Sequence, residues 1–246
     1  MDISGYKQIW DCHTHTLYSG DGKGTIEQNV RSAVDKGLTK IAITDHGFNH
    51  MSYGIKRDKV KEMRSEIERL KKNYPIEILY GIEANLISLH GDIDLTPEEQ
   101  KWFDIILMGV HKSTKPATFG GWFNFTLRNL LWDTKKHSAK VTDSYIEALQ
   151  KNKIDILVHL HNIVHVDAVK IAKEAVKHNT LIELNNKHVL LFTQQELWDI
   201  ANTGANFIID SDAHVPEGVG DCPNVWEYLR RNDVPLDRIV NFKKID

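Results

Sequence analysis

Cysteine is nearly absent: the chain has two in 246 residues, Cys12 and Cys222, too few for the disulfide framework of a small secreted domain. No apolar run approaches the ~20 residues of a membrane span. The start Met1-Asp2-Ile3-Ser4-Gly5-Tyr6-Lys7 lacks the apolar core of a signal peptide, so a soluble cytoplasmic protein is expected. Neither sign of charge dominates, with 31 Lys and Arg against 34 Asp and Glu and a formal net charge of -3. Global attraction to nucleic acid or to an anionic membrane is therefore not expected, and an anionic ligand must be held locally. No Pro/Gly/Ser-rich linker, low-complexity tract or charge run divides the chain, and its length suits one domain over residues 1–246.

What the chain has is a repeated strand-like run, short, rich in Ile, Val and Leu, and bounded by turn residues, as buried parallel strands are. Seven are readable. Ile9 to His13 leads into His15; Lys40 to Thr44 into Asp45 and His46; Ile76 to Tyr80 into Glu83; and Asp104 to Val110 into His111. Ile154 to Val158 ends at His159, Thr180 to Leu184 at Asn185 and Asn186, and Asn206 to Asp210 at Asp212 and His214.

Helical spacing fills the intervals. Thr25-Ile26-Glu27-Gln28 reads as a capping box opening a helix that stops at Gly37. Asp58 to Asn73 places Val60, Met63, Ile67 and Leu70 on one face. Ser144 to Gln150, Val166 to His178 and Gln194 to Asn202 are further helices. Alternation of this kind predicts a parallel sheet with right-handed crossovers. The expected fold is α/β, a distorted (β/α)7 barrel of one domain, with an open doubly wound sheet as the alternative.

Nine metal-capable side chains, His13, His15, Asp21, His46, Glu83, His111, His159, Asp212 and His214, recur along the chain, most of them where a run ends. Catalytic groups of (β/α) barrels come from the C-terminal ends of several strands, so the placement reads as one shared site. In Asp11-Cys12-His13-Thr14-His15 the period of two puts Asp11, His13 and His15 on one face. Two imidazoles can then reach one ion, with Asp11 a candidate acceptor for a ligating ring. Any single histidine is more often a surface or satisfied core residue; recurrence at strand ends is what changes the reading. His50, His90, His137, His165, His178 and His188 fall in loops or helical stretches, and His161 shares alternation with His159 without being read as a ligand. Glu83 follows an apolar run whose neighbours are inside, and a buried carboxylate usually needs a cation.

Six strings in order, Asp11-Cys12-His13-Thr14-His15, Thr44-Asp45-His46-Gly47, Gly81-Ile82-Glu83-Ala84-Asn85, Gly109-Val110-His111, Glu183-Leu184-Asn185-Asn186 and Ser211-Asp212-Ala213-His214, resemble the motif series of the PHP (polymerase and histidinol phosphatase) family. The resemblance implies a distorted seven-unit barrel with two or three divalent ions that hydrolyses phosphoesters. It implies His13, His15, Glu83 and Asp212 around one ion, Glu83, His111 and His159 around a second, and Asp21, His46 and His214 around a third. Position 21 is a histidine in some members and aspartate here, and Leu160-His161-Asn162 departs from the turn that many relatives have after the equivalent of His159.

Imidazole with carboxylate suits zinc, manganese or iron, and the absence of cysteine from the set argues against a structural zinc site. Two ions bridged by a carboxylate, ~3.5 to 4 Å apart, generate a hydroxide near neutral pH for in-line displacement at phosphorus. Glu83, Asp212 and His214 are the expected catalytic positions. Asp212, His214, His161 and bound water stay open as the acid for the leaving group.

Substrate choice is expected in the loops over the strand ends. The stretch after His111 carries Lys112, Lys115, Trp122, Phe123, Phe125, Arg128, Trp132, Lys135 and Lys136, readable either as a cap over the substrate or as an amphipathic helix packed on the barrel. Lys115, Arg128 and Asn186 are the candidate substrate contacts. The expected partner is a small phosphorylated substrate, histidinol phosphate being one candidate, with no membrane partner. A nuclease reading is weaker for want of a basic stripe. A metal-holding scaffold is the non-enzymatic alternative, since fold alone does not establish activity. An amidohydrolase reading is disfavoured because no lysine ends a predicted strand.

Overall fold

A computed structural model describes residues 2–115 and 135–245. Seven parallel strands, β2 (Trp10–Asp11), β3 (Lys40–Ile43), β4 (Glu77–Asn85), β5 (Ile105–Gly109), β6 (Ile156–Leu157), β7 (Leu181–Asn185) and β8 (Phe207–Asp210), pair in chain order. The sheet then closes on itself. Beyond the ends of β2 and β8, Thr14 and Ala213 form a parallel bridge, and the His15 N–H donates to the Ala213 carbonyl at 2.8 Å. Lower down, the Cys12 N–H donates to Asp210 Oδ1 at 2.6 Å. The architecture is thus the distorted (β/α)7 barrel, and the closure removes the open doubly wound sheet.

The helices follow their sequence signals. Thr25 caps α1 (Ile26–Asp35) through both hydrogen bonds of the capping box with Gln28, and Gly37 takes φ 67° just beyond the end. A 3-10 turn at Arg57–Lys59 leads into α2 (Val60–Leu70), which buries Val60, Met63, Ile67 and Leu70 as its period requires. The short α3 (Pro97–Gln100) precedes β5, and α4 (Lys135–Lys151) is much longer than the predicted Ser144 to Gln150. α5 (Ala168–His178) ends on a left-handed Asn179, and α6 (Gln194–Asn202) is capped by Thr193. Neither α3, nor α7 (Pro223–Arg231), nor an antiparallel pair of β1 (Tyr6–Gln8) with β9 (Phe242–Lys244) had a sequence reading. The Tyr6 and Phe242 rings of that pair stack in series with Trp226 of α7.

The core lies between the barrel and its helices, around Ile41, Ile43, Tyr80, Ile82, Ile106 and Ile209. Leu107, Ile156, Val158 and Ile208 form a separate apolar cluster. Among the described residues no helix is long and apolar enough to cross a membrane.

Candidate metal centre

All nine metal-capable side chains converge at one end of the barrel. Glu83 is the centre. It lies inside β4 and not beyond it, because that strand runs on to Asn85 alongside β5, and it is 1% exposed. Its Oε1 is 2.9 Å from His111 Nε2, 2.8 Å from His159 Nε2 and 3.4 Å from His13 Nε2. Its Oε2 is 2.6 Å from His46 Nδ1 and 3.8 Å from His15 Nε2. Asp212 Oδ1 faces His15 Nε2 at 3.4 Å and His13 Nε2 at 3.8 Å. Asp21 Oδ2 is 3.2 Å from both His46 Nε2 and His214 Nε2.

Three groups of donor atoms are compact enough to share an ion: His13, His15 and Asp212; His46, Glu83 and His111; and His15, His46 and His214. Their hydrogen bonding fits the same conclusion. Among the described residues His13 Nε2, both nitrogens of His15, His46 Nδ1, Asp21 Oδ1 and Glu83 Oε2 are buried without a hydrogen-bond partner. Buried polar atoms are rarely left so. His46 Nδ1 and Glu83 Oε2 are 2.6 Å apart yet out of line for a hydrogen bond, as expected of two donors aimed at a common point. The residues present fit divalent ions.

The supporting contacts set the tautomers. Glu183 Oε1 accepts from His13 Nδ1 at 2.6 Å, so the His13 Nε2 lone pair faces the centre. Asn85 Oδ1 plays the same part for His111 Nδ1 at 2.8 Å, and the Asn85 amide is itself oriented by donating to Asp94 Oδ2 at 2.6 Å. Gly109 gives His159 its place: a Cβ there would lie 2.5 Å from His159 Cε1. Asp45 accepts from the N–H and hydroxyl of Thr16 and the N–H of Ser19, and Ser19 Oγ then accepts from the His46 N–H, fixing the turn after β2. Backbone strain collects here too, with left-handed φ of 35° at His159, 70° at His161 and 53° at Asp212.

Electrostatics push neighbouring groups apart. Burial alone would raise the Glu83 carboxyl, but the His111, His13 and His46 imidazoles hold it well below the usual carboxylate range. Burial would lower His46, yet Glu83 and Asp21 push it up to about 10. His15, buried and beside His46, is held down at about 3.

Several expectations need restating. Asp11 does not orient a ligating ring; its carboxylate accepts from Ser211 N–H and hydroxyl and from Gly220 N–H, and so ties the β8 loop. Glu183 takes the orienting part; its sequence signals were its place at the head of the Glu183-Leu184-Asn185-Asn186 string and a carboxylate inside an otherwise apolar strand. His161 accepts from the Val166 N–H at Nδ1 and donates from Nε2 to Glu196 Oε1, which removes it as a candidate acid. His50 and His188, read as loop histidines, pack on the centre: His50 stacks on His46 with centroids 4.7 Å apart, and His188 meets His159 edge-on at 5.8 Å. Asn186 Oδ1 accepts from the Asn224 N–H. Lys115 is exposed and exchanges backbone and amide hydrogen bonds with Asn49. Arg128, with Trp122, Phe123, Phe125 and Trp132, lies outside the described residues. A lysine does reach the site: Lys187, two residues past β7, sits 3.2 Å from Asp212 Oδ2.

A closed parallel barrel with imidazoles and carboxylates gathered at its C-terminal strand ends defines a metal-centred (β/α) barrel. Residues 11–197 match the PHP domain, and the chain belongs to that family. It is 28% identical to a protein named "Probable phosphatase" from Shewanella piezotolerans, over 96% of this chain and 90% of the relative. A relative of the same description from Thermoanaerobacter sp. is 26% identical over 96% of this chain and 91% of its own length. In fold the chain is similar to the histidinol phosphate phosphatase of Lactococcus lactis subsp. lactis, solved with zinc, L-histidinol and phosphate. That match has a TM-score of 0.63 at 16% identity, covering 93% of this chain and 95% of the other.

Proposed function

We propose that this protein is a hydrolase of phosphoric esters, a metal-dependent phosphatase acting on a phosphate monoester of a small molecule. The observation that carries the reading is the convergence on Glu83 of five imidazole nitrogens, from His13, His15, His46, His111 and His159, within 3.8 Å of its two oxygens. His13, His15, Glu83 and Asp212 would hold one ion, Glu83, His111 and His159 a second, and Asp21, His46 and His214 a third. Zinc, manganese or iron suits that donor set. Bound there, such ions supply Lewis acidity and an activated water for displacement at phosphorus.

The chain's own residues do the rest. Glu183 and Asn85 fix the tautomers of His13 and His111, so that each Nε2 presents a lone pair. Burial of Glu83 strengthens its attraction for cations, since charges interact more strongly away from water. Glu83, Asp212 and His214 are the catalytic positions through the donor atoms they contribute.

The test is phosphate release from a panel of monoesters, histidinol phosphate and nucleotides among them, by manganese- or zinc-loaded protein with Glu83→Gln alongside. Metal-dependent turnover that Glu83→Gln abolishes is the expected result. Silence across the panel would leave a diester substrate or a non-catalytic barrel.

A further inference from the structure

One cation enters this site from a loop that no ligand motif requires. Lys187 is placed by a built turn: its N–H donates to Asn185 Oδ1 at 2.8 Å. The Asn185 amide, 1% exposed, donates to Glu183 Oε2 at 3.0 Å and approaches Asp212 Oδ2 at 3.4 Å. On the far side, Asn186 is joined to Asn224 by two hydrogen bonds. The loop is therefore held from both flanks, and the lysine stem emerges over Asp212.

Asp212 divides its oxygens. Oδ1 turns inward to His13 and His15, whereas Oδ2 turns outward to the Lys187 ammonium. Lys187 Nζ is also 3.1 Å from His214 Nδ1. That nitrogen, however, lies 2.9 Å from the Asp212 carbonyl, and His214 Nε2 is directed at Asp21. With Nε2 given to an ion, Nδ1 carries the ring hydrogen, donates it to the carbonyl and has no lone pair for the ammonium. Among the described residues Asp212 Oδ2 is then the acceptor of Lys187, which has three N–H donors. The side chain is 47% exposed, at the rim of the centre.

We propose that Lys187 is a substrate-binding residue, its ammonium donating to a non-bridging oxygen of the phosphate group while Asp212 Oδ2 holds it in place. The assignment rests on the phosphoesterase reading and names the side chain of that site that grips the anion. A tetrahedral dianion suits it, because the remaining donors fan outward from one point charge.

Inorganic phosphate is the probe, titrated by calorimetry into manganese-loaded wild type, Lys187→Met and Lys187→Arg after the metal content of each has been measured. Phosphate affinity should fall about ten- to hundredfold in Lys187→Met, as for a lost hydrogen bond to a charged group, and largely recover in Lys187→Arg, at equal metal content. Wild-type phosphate affinity in Lys187→Met, no phosphate binding by wild type, or metal loss that accounts for the weaker binding would each overturn the assignment. The two readings fail separately. Lys187-dependent phosphate binding without hydrolysis of any ester sinks the phosphatase alone; ester hydrolysis with phosphate affinity intact in Lys187→Met sinks the Lys187 assignment alone.

Discussion

Glu183 Oε1 lies 2.6 Å from His13 Nδ1, and neither side chain has any exposure to solvent. The same carboxylate accepts from the His159 N–H through Oε2 at 2.7 Å, so one residue of β7 braces two candidate ligands that lie just beyond β2 and β6. Removing its charge by Glu183→Gln is expected to weaken metal binding about 10- to 100-fold, the range for partners of ligating histidines. Competition for zinc with a chromophoric chelator measures this. Unchanged affinity would mean that Glu183 serves only the backbone at His159.

Gly109 is a packing requirement of the centre. Its backbone has ordinary φ, so Gly109→Ala acts through the added methyl, 2.5 Å from His159 Cε1 and 2.8 Å from Val158 Cγ2. Overpacking of this kind costs about 1–3 kcal/mol, and the His159 ring must shift from its place beside Glu83. The expected outcome is a lower metal-to-protein ratio by elemental analysis together with a reduced Tm. Full metal content at wild-type Tm would contradict the placement of His159.

Protons and metal ions compete for the same nitrogens. In the metal-free protein burial would lower His13 and His46, but Glu183 and Glu83 push His13 well above its usual range and Glu83 and Asp21 take His46 to about 10. Both rings are then cationic at pH 7, whereas a ligating imidazole must be neutral. Metal binding should release protons at pH 7, and affinity should rise with pH as His46 approaches its folded value near 10. Calorimetry in buffers of different ionisation enthalpy reads the release directly, and a binding enthalpy independent of the buffer would refute it.

His161 holds structure. Both its nitrogens are engaged, with Val166 and Glu196, and its ring packs edge-on against Phe192 at 5.1 Å. His161→Ala should cost about 1–3 kcal/mol for the groups left unpaired, equivalent to a Tm lower by roughly 2–4 °C per kcal/mol in a chain of this size. Turnover per folded molecule should stay at the wild-type level. A large loss of turnover without a change in Tm would restore it as a candidate acid.

The strands and most helices were legible because burial imposes a local period. Gln194 to Asn202 matched its predicted bounds, and Val60, Met63, Ile67 and Leu70 face the core as their spacing required. The β1–β9 pair was not legible, since its two strands come from opposite ends of the chain and neither carries an apolar run. Nor was the reach of β4 to Asn85: Gly81 to Asn85 reads locally as the end of a strand, and only the neighbouring β5 extends it.

The site divides along the same line. Residue type and strand-end position sufficed to collect His13, His15, His46, Glu83, His111, His159, Asp212 and His214, because donor chemistry belongs to each side chain and alternation to its own strand; the family resemblance added Asp21. Which nitrogen faces inward is set by partners far away in the chain, as Glu183 is 170 residues from His13. The exclusion of Asp11 from ring orientation, the pinning of His161 by Glu196 and the meeting of Lys187 with Asp212 depend likewise on closure of the barrel. By itself the sequence determined the alternating architecture and the kinds of donor atom, which are local properties. Only the tertiary structure decided which donors meet, which tautomers they adopt and which oxygen of Asp212 faces outward, because those depend on contacts between strands distant in the chain.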